Sequence, residues 1–349
     1  MKLGKCMKEA LVGKIREKKA RLVVMGLGRV GLPTAAVLAN EGFRVAGVDV
    51  RQEILRDVSL GRSHFMEPDL EKMIANAVKN GKLAVTDDPL AVKKADIILI
   101  CVQTPVTEHR KPDLSYLRKA CESIATSLSP GKLVIVKSSV PPGTTRNVVA
   151  RILEAGSRLR CGEDFWLAHC PERLTPGEAL RDFTKNVRII GGYDETSAEI
   201  AAAFYRDQET LITDATTAEV AKLSENTFRD VNIAFANELA LMCERIGVDV
   251  MEVRKLANTH PRVNIHKPGC GVGGPCLPKD PLLLINSVGA KVARSARIVQ
   301  SSRELNDFMP LHIVKMVVDA LRRAGKRIDN SKIAVLGSAY KKESDQGYN

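Results

Sequence analysis

A loop rich in glycine and proline carries the side chains best suited to covalent chemistry in this chain. It spans residues 268–280, where four glycines and three prolines accompany Cys276, Lys279 and Asp280. Such a composition excludes a regular helix or strand over the loop. A cysteine beside positive charge can be held as the thiolate that attacks carbonyl carbons. Taken alone, the loop fits two interpretations: a site with a reactive thiol, or a surface loop with an incidental Cys276.

The overall composition describes a globular protein of roughly two domains. The 349 residues are 44% hydrophobic and 27% charged, and a chain of this length can bury a large core. It contains no apolar run of about eighteen residues, which a transmembrane helix needs. The basic N-terminus lacks the continuous apolar segment of a signal peptide. We therefore expect a cytoplasmic protein without membrane contact.

Charge and cysteine usage argue against two further classes of protein. The net charge is +12, but residues 1–20 alone contribute +5, from seven Lys or Arg against two Glu. Aromatic residues make up only 4% of the chain, too few to stack on bases, so we expect no nucleic-acid partner. The excess charge fits a surface that attracts anionic nucleotides. The eight cysteines and six histidines show no metal-binding spacing, and no metal site is expected.

A glycine motif near the N-terminus predicts a cofactor. The Gly-x-Gly-x-x-Gly motif at 26–31 follows a strand-like run at 21–25 and opens a predicted helix over about 30–40. The next strand-like run, 44–48, leads directly into Asp49, eighteen residues after the third glycine. This context is typical of dinucleotide-binding domains.

Each position of the motif has a physical reason. Gly26 permits the sharp turn, Gly28 lets a pyrophosphate approach the backbone, and Gly31 lets the helix pack on the strand. The helix N-terminus supplies unpaired N–H groups for the phosphate charge. Asp49 would accept hydrogen bonds from ribose hydroxyls, which favours NAD over NADP, whereas Arg51 would soften that preference. The expected cofactor contacts are Gly26, Gly28, Val30, Gly31, Asp49, Arg51, Thr104 and Pro105.

Further strand-like runs continue the alternation, with helical segments between them. These runs lie at 82–86, 97–102, 133–137, 165–168 and 188–190. The pattern predicts a doubly wound, Rossmann-type parallel sheet that extends to about residue 213. In such sheets ligands bind beyond the carboxyl ends of the strands. Polar turns follow two strands, at 103–105 and 138–144, and we expect them to line the cofactor and the reacting carbon.

The second half of the chain is predicted to be mainly helical, with a cleft towards the sheet domain that holds the glycine-rich loop. Helices are expected over 216–246, about 249–258 and about 290–324. Lys222 and Asn226 lie one turn apart on the first of them. They are expected opposite its buried face, which should be the apolar stripe of Phe228, Val231, Phe235, Leu239 and Met242.

A division into domains follows from these elements. A basic amphipathic helix within 1–20 should lean on a NAD-binding, Rossmann-like domain at 21–213. A helical central domain at 214–328 carries the glycine-rich loop. A fresh strand and turn from Lys332 read as the beginning of another α/β domain. Residues 329–349 are therefore expected to be the truncated start of a third domain, without a sheet to join.

Several motifs, in the same order, make the chain similar to a known family. They lie at 26–33, 138–146, 171–173, 176–177, 221–233, 260–265 and 268–280. Over about residues 20–345 the chain resembles the UDP-glucose/GDP-mannose dehydrogenase superfamily, and most resembles its members that oxidise UDP-N-acetyl-D-mannosamine. The resemblance implies a homodimer through the central helices. It also implies NAD-dependent oxidation of the sugar C6 hydroxymethyl group to a carboxylate, in two hydride transfers, giving UDP-N-acetyl-D-mannosaminuronate.

The resemblance assigns roles in the oxidation to four residues of the second half of the chain. Cys276 would trap the aldehyde as a thiohemiacetal, which a second oxidation converts to a thioester. Lys222 would stabilise the oxyanion, with Asn226 helping to position it. Asp280 would work with a water in proton transfer.

Further roles by resemblance concern hydrolysis and substrate binding. Glu172 is the candidate base for thioester hydrolysis, and Ser139 takes the place of a family hydroxyl near the attacking water. The expected contacts to the nucleotide sugar are Arg173, Arg262, Asn264, Gly273, Gly274 and Lys279.

Three departures from the family pattern keep alternatives open. Pro275 stands where relatives acting on acetamido sugars commonly have histidine, and Lys279 with Asp280 resembles the UDP-glucose type. UDP-glucose and UDP-N-acetylglucosamine are therefore alternative substrates. The chain also ends just after the first strand of the family's UDP-binding domain. A truncated, inactive NAD-binding dimer is a further alternative, since binding energy from the nucleotide would be lost.

Overall fold

The computed structural model describes residues 2–337 and 339, and the chain divides into two compact units after Lys222. The first unit combines a sheet with helices, and the second is helical. Within the described residues, no helix has both the length and the apolar character needed to cross a membrane.

Eight strands form one sheet in the described part of the first unit. They are β1 (Arg21–Met25), β2 (Arg44–Val48), β3 (Leu83–Thr86), β4 (Ile97–Ile100), β5 (Leu133–Val136), β6 (Trp166–His169), β7 (Arg188–Gly192) and β8 (Thr210–Asp214). Their order across the sheet is β3-β2-β1-β4-β5-β6-β7-β8, so the chain winds outwards in both directions from β1 and β4. This is the doubly wound arrangement predicted from the sequence, and the strands named there agree with it to within two residues.

The last two strands run opposite to the others, contrary to the prediction of a parallel sheet. The neighbours among β1 to β6 are parallel, whereas β7 pairs with β6 antiparallel and with β8 parallel. A parallel β7 would need the chain to cross back to the opposite end of the sheet. Instead Arg188, at the start of β7, forms an ion pair with Glu172, just after β6. The sequence also missed β8, an edge strand on which Leu211 and Ile212 are exposed.

Helices cover both faces of this sheet. One core includes side chains of α1 (Lys2–Arg16), α2 (Gly31–Asn40), α3 (Gln52–Ser59), α4 (Leu70–Lys79), α7 (Ala179–Lys185) and α8 (Glu195–Phe204). The other includes side chains of α5 (Ser115–Ala125) and α6 (Ala150–Ser157). Leu11 and Ile15 of α1 are buried, as their four-residue spacing predicts. Every residue of β4 and β5 is buried, as expected of strands covered on both sides.

The second unit is built from helices and the glycine-rich loop. Its helices are the later part of α9 (Ala215–Ile246), α10 (Val250–Ala257), α11 (Asp280–Ser287), α12 (Gly289–Ala293) and α13 (Arg297–Arg323). The single helix predicted over 290–324 is wrong, because residues 294–296 separate α12 from α13. The sequence also missed α11, whose first residue is Asp280.

The buried face of α9 is partly polar, and the predicted apolar stripe is largely exposed. Phe228, Phe235 and Met242 are 65%, 52% and 51% exposed. The side that is buried carries Asn226, Asp230 and Asn237, at most 6% exposed. Periodicity identified the apolar side of the helix correctly, but it could not tell which side the rest of the chain covers.

A buried polar network explains the orientation of α9. Arg303 Nη1 lies 2.6 Å from Asp230 Oδ1, and Asn306 Nδ2 donates to the same oxygen at 2.9 Å. Asn237 Nδ2 donates to Asn306 Oδ1 at 2.9 Å. These partners lie on α13, and they make burial of the polar face of α9 tolerable, since buried polar groups need hydrogen bonds.

The strand predicted from Lys332 is not formed over the residues that are described. Residues 331–337 contain neither helix nor strand, and 332–337 are exposed. The remainder of that prediction, at 338 and 340–349, lies outside the described residues.

Candidate active site

The three glycines of the turn after β1 differ in their surroundings. Gly26 has φ +91°, and a Cβ there would lie 2.9 Å from the carbonyl oxygen of Cys101. A Cβ on Gly31 would lie 1.8 Å from the carbonyl oxygen of Gly26, so the helix could not pack as it does. A Cβ on Gly28 would meet nothing within 4 Å. Gly28 therefore borders open space, where a phosphate could approach the backbone.

The acidic residue after β2 is fixed beside this turn. Asp49 is 8% exposed, and its Oδ2 accepts a hydrogen bond from Leu27 N at 2.8 Å. Its Oδ1 accepts from Arg51 N at 3.0 Å, and the Arg51 Nε lies 3.6 Å away. At the N-cap of α2, Val30 offers no side-chain acceptor to the helix. An open glycine, an uncapped helix N-terminus and an anchored carboxylate together fit a dinucleotide.

The two polar turns at the ends of β4 and β5 are joined to each other. Thr104 Oγ1 donates to the carbonyl oxygen of Ser139 at 2.5 Å, and Ser138 Oγ donates to that of Val102 at 2.5 Å. Pro105 is half-buried, and its carbonyl accepts from Asp113 N at 2.8 Å. The structure thus brings Thr104 and Ser139 together at the carboxyl edge of the sheet, where ligands bind in such folds.

Glu172 lies between two cations beneath this edge. Its Oε2 is 2.7 Å from Lys137 Nζ, its Oε1 is 2.6 Å from Arg188 Nη1, and all three side chains are at most 3% exposed. Burial would raise the pKa of Glu172, but the charges of Lys137 and Arg188 outweigh it and lower the pKa to about 2. Arg173 N donates to Oε1 at 3.0 Å. This carboxylate is held firmly as an anion and is a weak proton acceptor.

Sequence reasoning missed Lys137 and Arg188, although a signal was present. Lys137 directly follows four buried apolar residues of β5, and Arg188 begins the apolar strand β7. Charged residues attached to buried strands require a partner of opposite charge. Glu172 was the only acidic residue of the predicted site at the end of a strand in this region. The presence of two such cations and one such carboxylate could have predicted the cluster of Lys137, Glu172 and Arg188.

A buried histidine lies near the predicted catalytic lysine. His169, at the end of β6, is fully buried, and neither ring nitrogen has a hydrogen-bond partner among the described residues. Burial, and then the charges of Lys137 and Lys222, lower the pKa of His169 to about 3. The imidazole is therefore neutral near pH 7. Sequence reasoning singled out Lys222 but not this histidine.

In the second unit, the glycine-rich loop ends at Asp280, which is also the first residue of α11. The carbonyl oxygen of Cys276 accepts from Lys279 N at 3.1 Å and from Asp280 N at 2.8 Å. The Asp280 carboxylate is fully buried, with Asn226 Nδ2 2.6 Å from Oδ2 and Lys279 Nζ 3.3 Å from Oδ1. Cys276 itself is exposed. The structure thus joins Asn226, Lys279 and Asp280, one helical turn from a cysteine accessible to a substrate.

The remaining predicted substrate contacts are less closely grouped. Arg262 and Asn264 are exposed, in a segment secured by Ile265, whose carbonyl oxygen accepts from Arg254 Nε at 2.9 Å. Gly273 and Gly274 are half-buried, and Gly274 has φ +95°, a conformation that favours glycine. In the first unit Arg173 Nη1 donates to the carbonyl oxygen of Val187 at 3.1 Å. No group of three or more His, Cys, Asp or Glu side chains within the described part of the chain could hold a metal ion.

This fold and turn define a dinucleotide-binding protein, and comparison with known proteins identifies its family. Residues 20–209 match the NAD binding domain of the UDP-glucose/GDP-mannose dehydrogenase family, and residues 216–308 match its central domain. The chain belongs to this family. It is accordingly an NAD-dependent oxidoreductase, as the sequence predicted.

Individual relatives carry related names. The chain is 44% identical to the UDP-N-acetyl-D-mannosamine dehydrogenase of Pyrococcus horikoshii, over 94% of this chain and 78% of the relative. The solved structure of that enzyme superposes with a TM-score of 0.88 over 92% of this chain and 76% of the other. A UDP-N-acetyl-mannosamine dehydrogenase structure from Staphylococcus aureus has 37% identity and a TM-score of 0.84, over 94% and 76%. An NDP-N-acetyl-D-galactosaminuronic acid dehydrogenase from Ralstonia solanacearum is 42% identical, over 92% and 76%.

Proposed function

We propose that this chain oxidises the C6 hydroxymethyl group of UDP-N-acetyl-D-mannosamine to a carboxylate. The observation that carries the proposal is the exposed Cys276, one turn before the buried Asp280 and its partners Asn226 and Lys279. It occurs in a chain that also carries the NAD binding domain of the family. The names of the relatives from P. horikoshii and S. aureus support the choice of sugar.

The chemistry accounts for a cysteine at this place. Conversion of a primary alcohol to a carboxylate removes four electrons, and NAD⁺ supplies the hydride acceptor for each of two steps. Between the steps, Cys276 Sγ forms a bond to the aldehyde carbon, giving a thiohemiacetal that can lose the second hydride. The resulting thioester reacts with water, which breaks the C–S bond, returns the thiol and releases the acid. The sum is one alcohol, two NAD⁺ and one water giving one carboxylate, two NADH and three protons.

Proton transfer and charge stabilisation would fall to the other residues that the sequence predicted for the site. Asp280 would take the hydroxyl proton through a water, while Asn226 holds its carboxylate in place. Lys222 would stabilise the alkoxide oxygen as charge develops on it. Ser139 is proposed for the hydrolytic step, which Glu172 would support as a fixed anion between Lys137 and Arg188 and not as the base. Because the pKa of Glu172 is about 2, its contribution would be constant from about pH 4 upwards.

A turnover assay tests the proposal directly. The purified chain is mixed with NAD⁺ and one nucleotide sugar at a time, while NADH absorbance and the sugar acid are followed. We expect two NADH for each UDP-N-acetyl-D-mannosamine consumed, and slower turnover of UDP-glucose and UDP-N-acetylglucosamine. Faster oxidation of UDP-glucose would overturn the choice of sugar. NAD binding without turnover of any sugar would favour the inactive NAD-binding alternative.

We also propose that the chain forms a homodimer through α9. The exposed stripe of Phe228, Phe235 and Met242 supports this, because a row of large apolar side chains on one helix face is typical of a protein interface. Light scattering after size-exclusion chromatography should give twice the chain mass, and Phe235→Glu should halve it. Leu211→Glu, at a comparably exposed residue of β8, is the matched control and should leave the mass unchanged. A monomeric wild type at about 50 μM would contradict the proposal.

A further inference from the structure

A buried carboxylate near the start of α9 contacts the turn that follows β5. Glu219 is 1% exposed. Its Oε2 accepts a hydrogen bond from Gly143 N at 2.5 Å, and its Oε1 accepts one from Thr145 N at 2.7 Å. Burial raises the pKa of Glu219, and the hydrogen bonds from Thr145 and Gly143 oppose that rise. Both oxygens of this buried carboxylate accept hydrogen bonds from one short stretch of backbone. The carboxylate therefore fixes that stretch relative to α9.

The stretch that Glu219 holds is part of the predicted site. It closes the polar turn 138–144, in which the Ser139 carbonyl accepts from Thr104. Gly143 has φ +85°, so the backbone turns sharply where its N–H meets Glu219. Through these bonds the turn is attached on one side to the end of β4 and on the other to α9.

A second contact fixes the same part of α9 against the sheet. A Cβ on Gly191 of β7 would lie 2.6 Å from Ala218 Cβ and 2.8 Å from Ala215 Cα. The glycine therefore allows the helix to lie directly on the strand. Ala218 and Lys222 are four residues apart and share one side of the helix, whereas Glu219 points to the turn. The contacts of Glu219 and of Gly191 together fix the helical turn that carries Lys222, both in its position along the helix axis and in its rotation about that axis.

We propose that Glu219 is a positioning residue for the oxidation, acting by holding the Lys222 turn of α9 in register with the 138–145 segment. The inference rests on the proposed function, because it concerns how the ammonium of Lys222 reaches the oxyanion. A cation stabilises a developing charge only when it is already in place, and a displacement of about 1 Å can cost about 100-fold in rate.

A double-mutant cycle tests whether Glu219 acts through Lys222. Glu219→Gln keeps the size of the side chain but presents an amide to the two N–H groups, so it weakens the attachment. We expect a fall in kcat of about 10- to 100-fold, with KM for NAD⁺ changed less than about threefold. In a Lys222→Ala background the same substitution should cost less than about twofold, because the group that it positions is gone. Equal losses in both backgrounds would overturn the proposal and leave Glu219 a structural residue.

Glu67 provides a matched control. Its carboxylate also accepts from two backbone N–H groups, those of Gly177 and Ala179, each at 2.8 Å, but it holds a different loop. Whatever Glu67→Gln costs in kcat, that cost should be the same with and without Lys222→Ala. If Glu67→Gln also lost its effect in the Lys222→Ala background, the cycle would not be specific and the proposal would fall.

Hydrogen exchange separates this inference from the proposed function. The amides of Gly143 and Thr145 should exchange faster in Glu219→Gln than in the wild type, whether or not the protein is active. Unchanged exchange would refute the attachment itself, whereas a wild type that oxidises no nucleotide sugar would refute the proposed function. If Glu219→Gln fails to fold, Glu219→Asp replaces it, since it keeps the charge but is one methylene too short. The same loss of kcat, confined to the background with Lys222, is then expected.

Discussion

Two buried carboxylates, one in each unit, are neutralised in different ways. Glu172 lies between Lys137 and Arg188, whose side chains are themselves buried. Asp280 has a neutral amide, Asn226, on one oxygen and the less buried Lys279 on the other. Two buried cations hold a carboxylate as an anion, whereas an amide orients it through a neutral hydrogen bond. The first arrangement suits an anchor, and the second suits a group that takes part in a reaction.

The largest effect is expected at the cysteine next to the second carboxylate. Cys276→Ser should lower formation of the sugar acid by at least about 10³-fold, because an alkoxide is not available near neutral pH to trap the aldehyde. Product chromatography with NADH absorbance measures this. Acid formation at the normal rate would show that Cys276 is not the nucleophile. It would also contradict a reactive role for the loop that carries Asp280.

Loss of the first carboxylate should act on stability. Glu172→Gln leaves Lys137 and Arg188 buried without their counter-charge, and we expect a loss of about 3–5 kcal/mol in the free energy of unfolding. Urea unfolding followed by circular dichroism measures it. A change below about 1 kcal/mol would show that Glu172 is not an anchor.

The opposite outcome is expected for the second carboxylate. Asp280→Asn keeps its shape and an acceptor for Asn226, so the urea midpoint should change little. The rate constant kcat should fall by about 100-fold or more, since proton transfer by a positioned carboxylate contributes at least that much. A variant with normal kcat and a much lower urea midpoint would reverse the assignment of the two carboxylates.

As the pH falls, the free energy of unfolding of the first unit should decrease first because of His169, and only at lower pH because of Glu172. The pKa of His169 is about 3 in the folded protein against an ordinary 6.5, because of burial and then the charges of Lys137 and Lys222. Between these values the unfolded chain binds a proton that the folded chain does not, so stability falls as pH drops through this window. Below about pH 4.5 Glu172 adds to the loss, because its folded pKa is about 2.

The variant His169→Asn tests that order. Its free energy of unfolding should vary less between pH 6.5 and 4.5 than that of the wild type, whatever its absolute stability. Parallel curves for the two proteins would assign the acid sensitivity to other groups.

The features predicted from sequence are those that a short stretch of chain determines. The glycine turn, the strands from 21 to 192 and the helix that begins after Asp214 each follow from local spacing. The ion pairs of Glu172 do not, because Lys137 is 35 positions before it and Arg188 is 16 after it. The antiparallel pairing of β7 with β6 is likewise a contact between distant segments, which local spacing does not reveal. The polar face of α9 was likewise unpredictable from its own residues, since Arg303 and Asn306 on α13 determine it.

The edge strand β8 has a consequence for production of the protein. Its outer backbone groups and the exposed Leu211 and Ile212 offer a short template on which another unfolded or partly folded chain can add a strand. Aggregation during refolding should therefore begin at this edge and rise with concentration. Leu211→Lys, a charge of the kind that protects natural edge strands, should raise the refolded yield by about a factor of two at high concentration, as light scattering would show. An unchanged yield would place the onset of aggregation elsewhere.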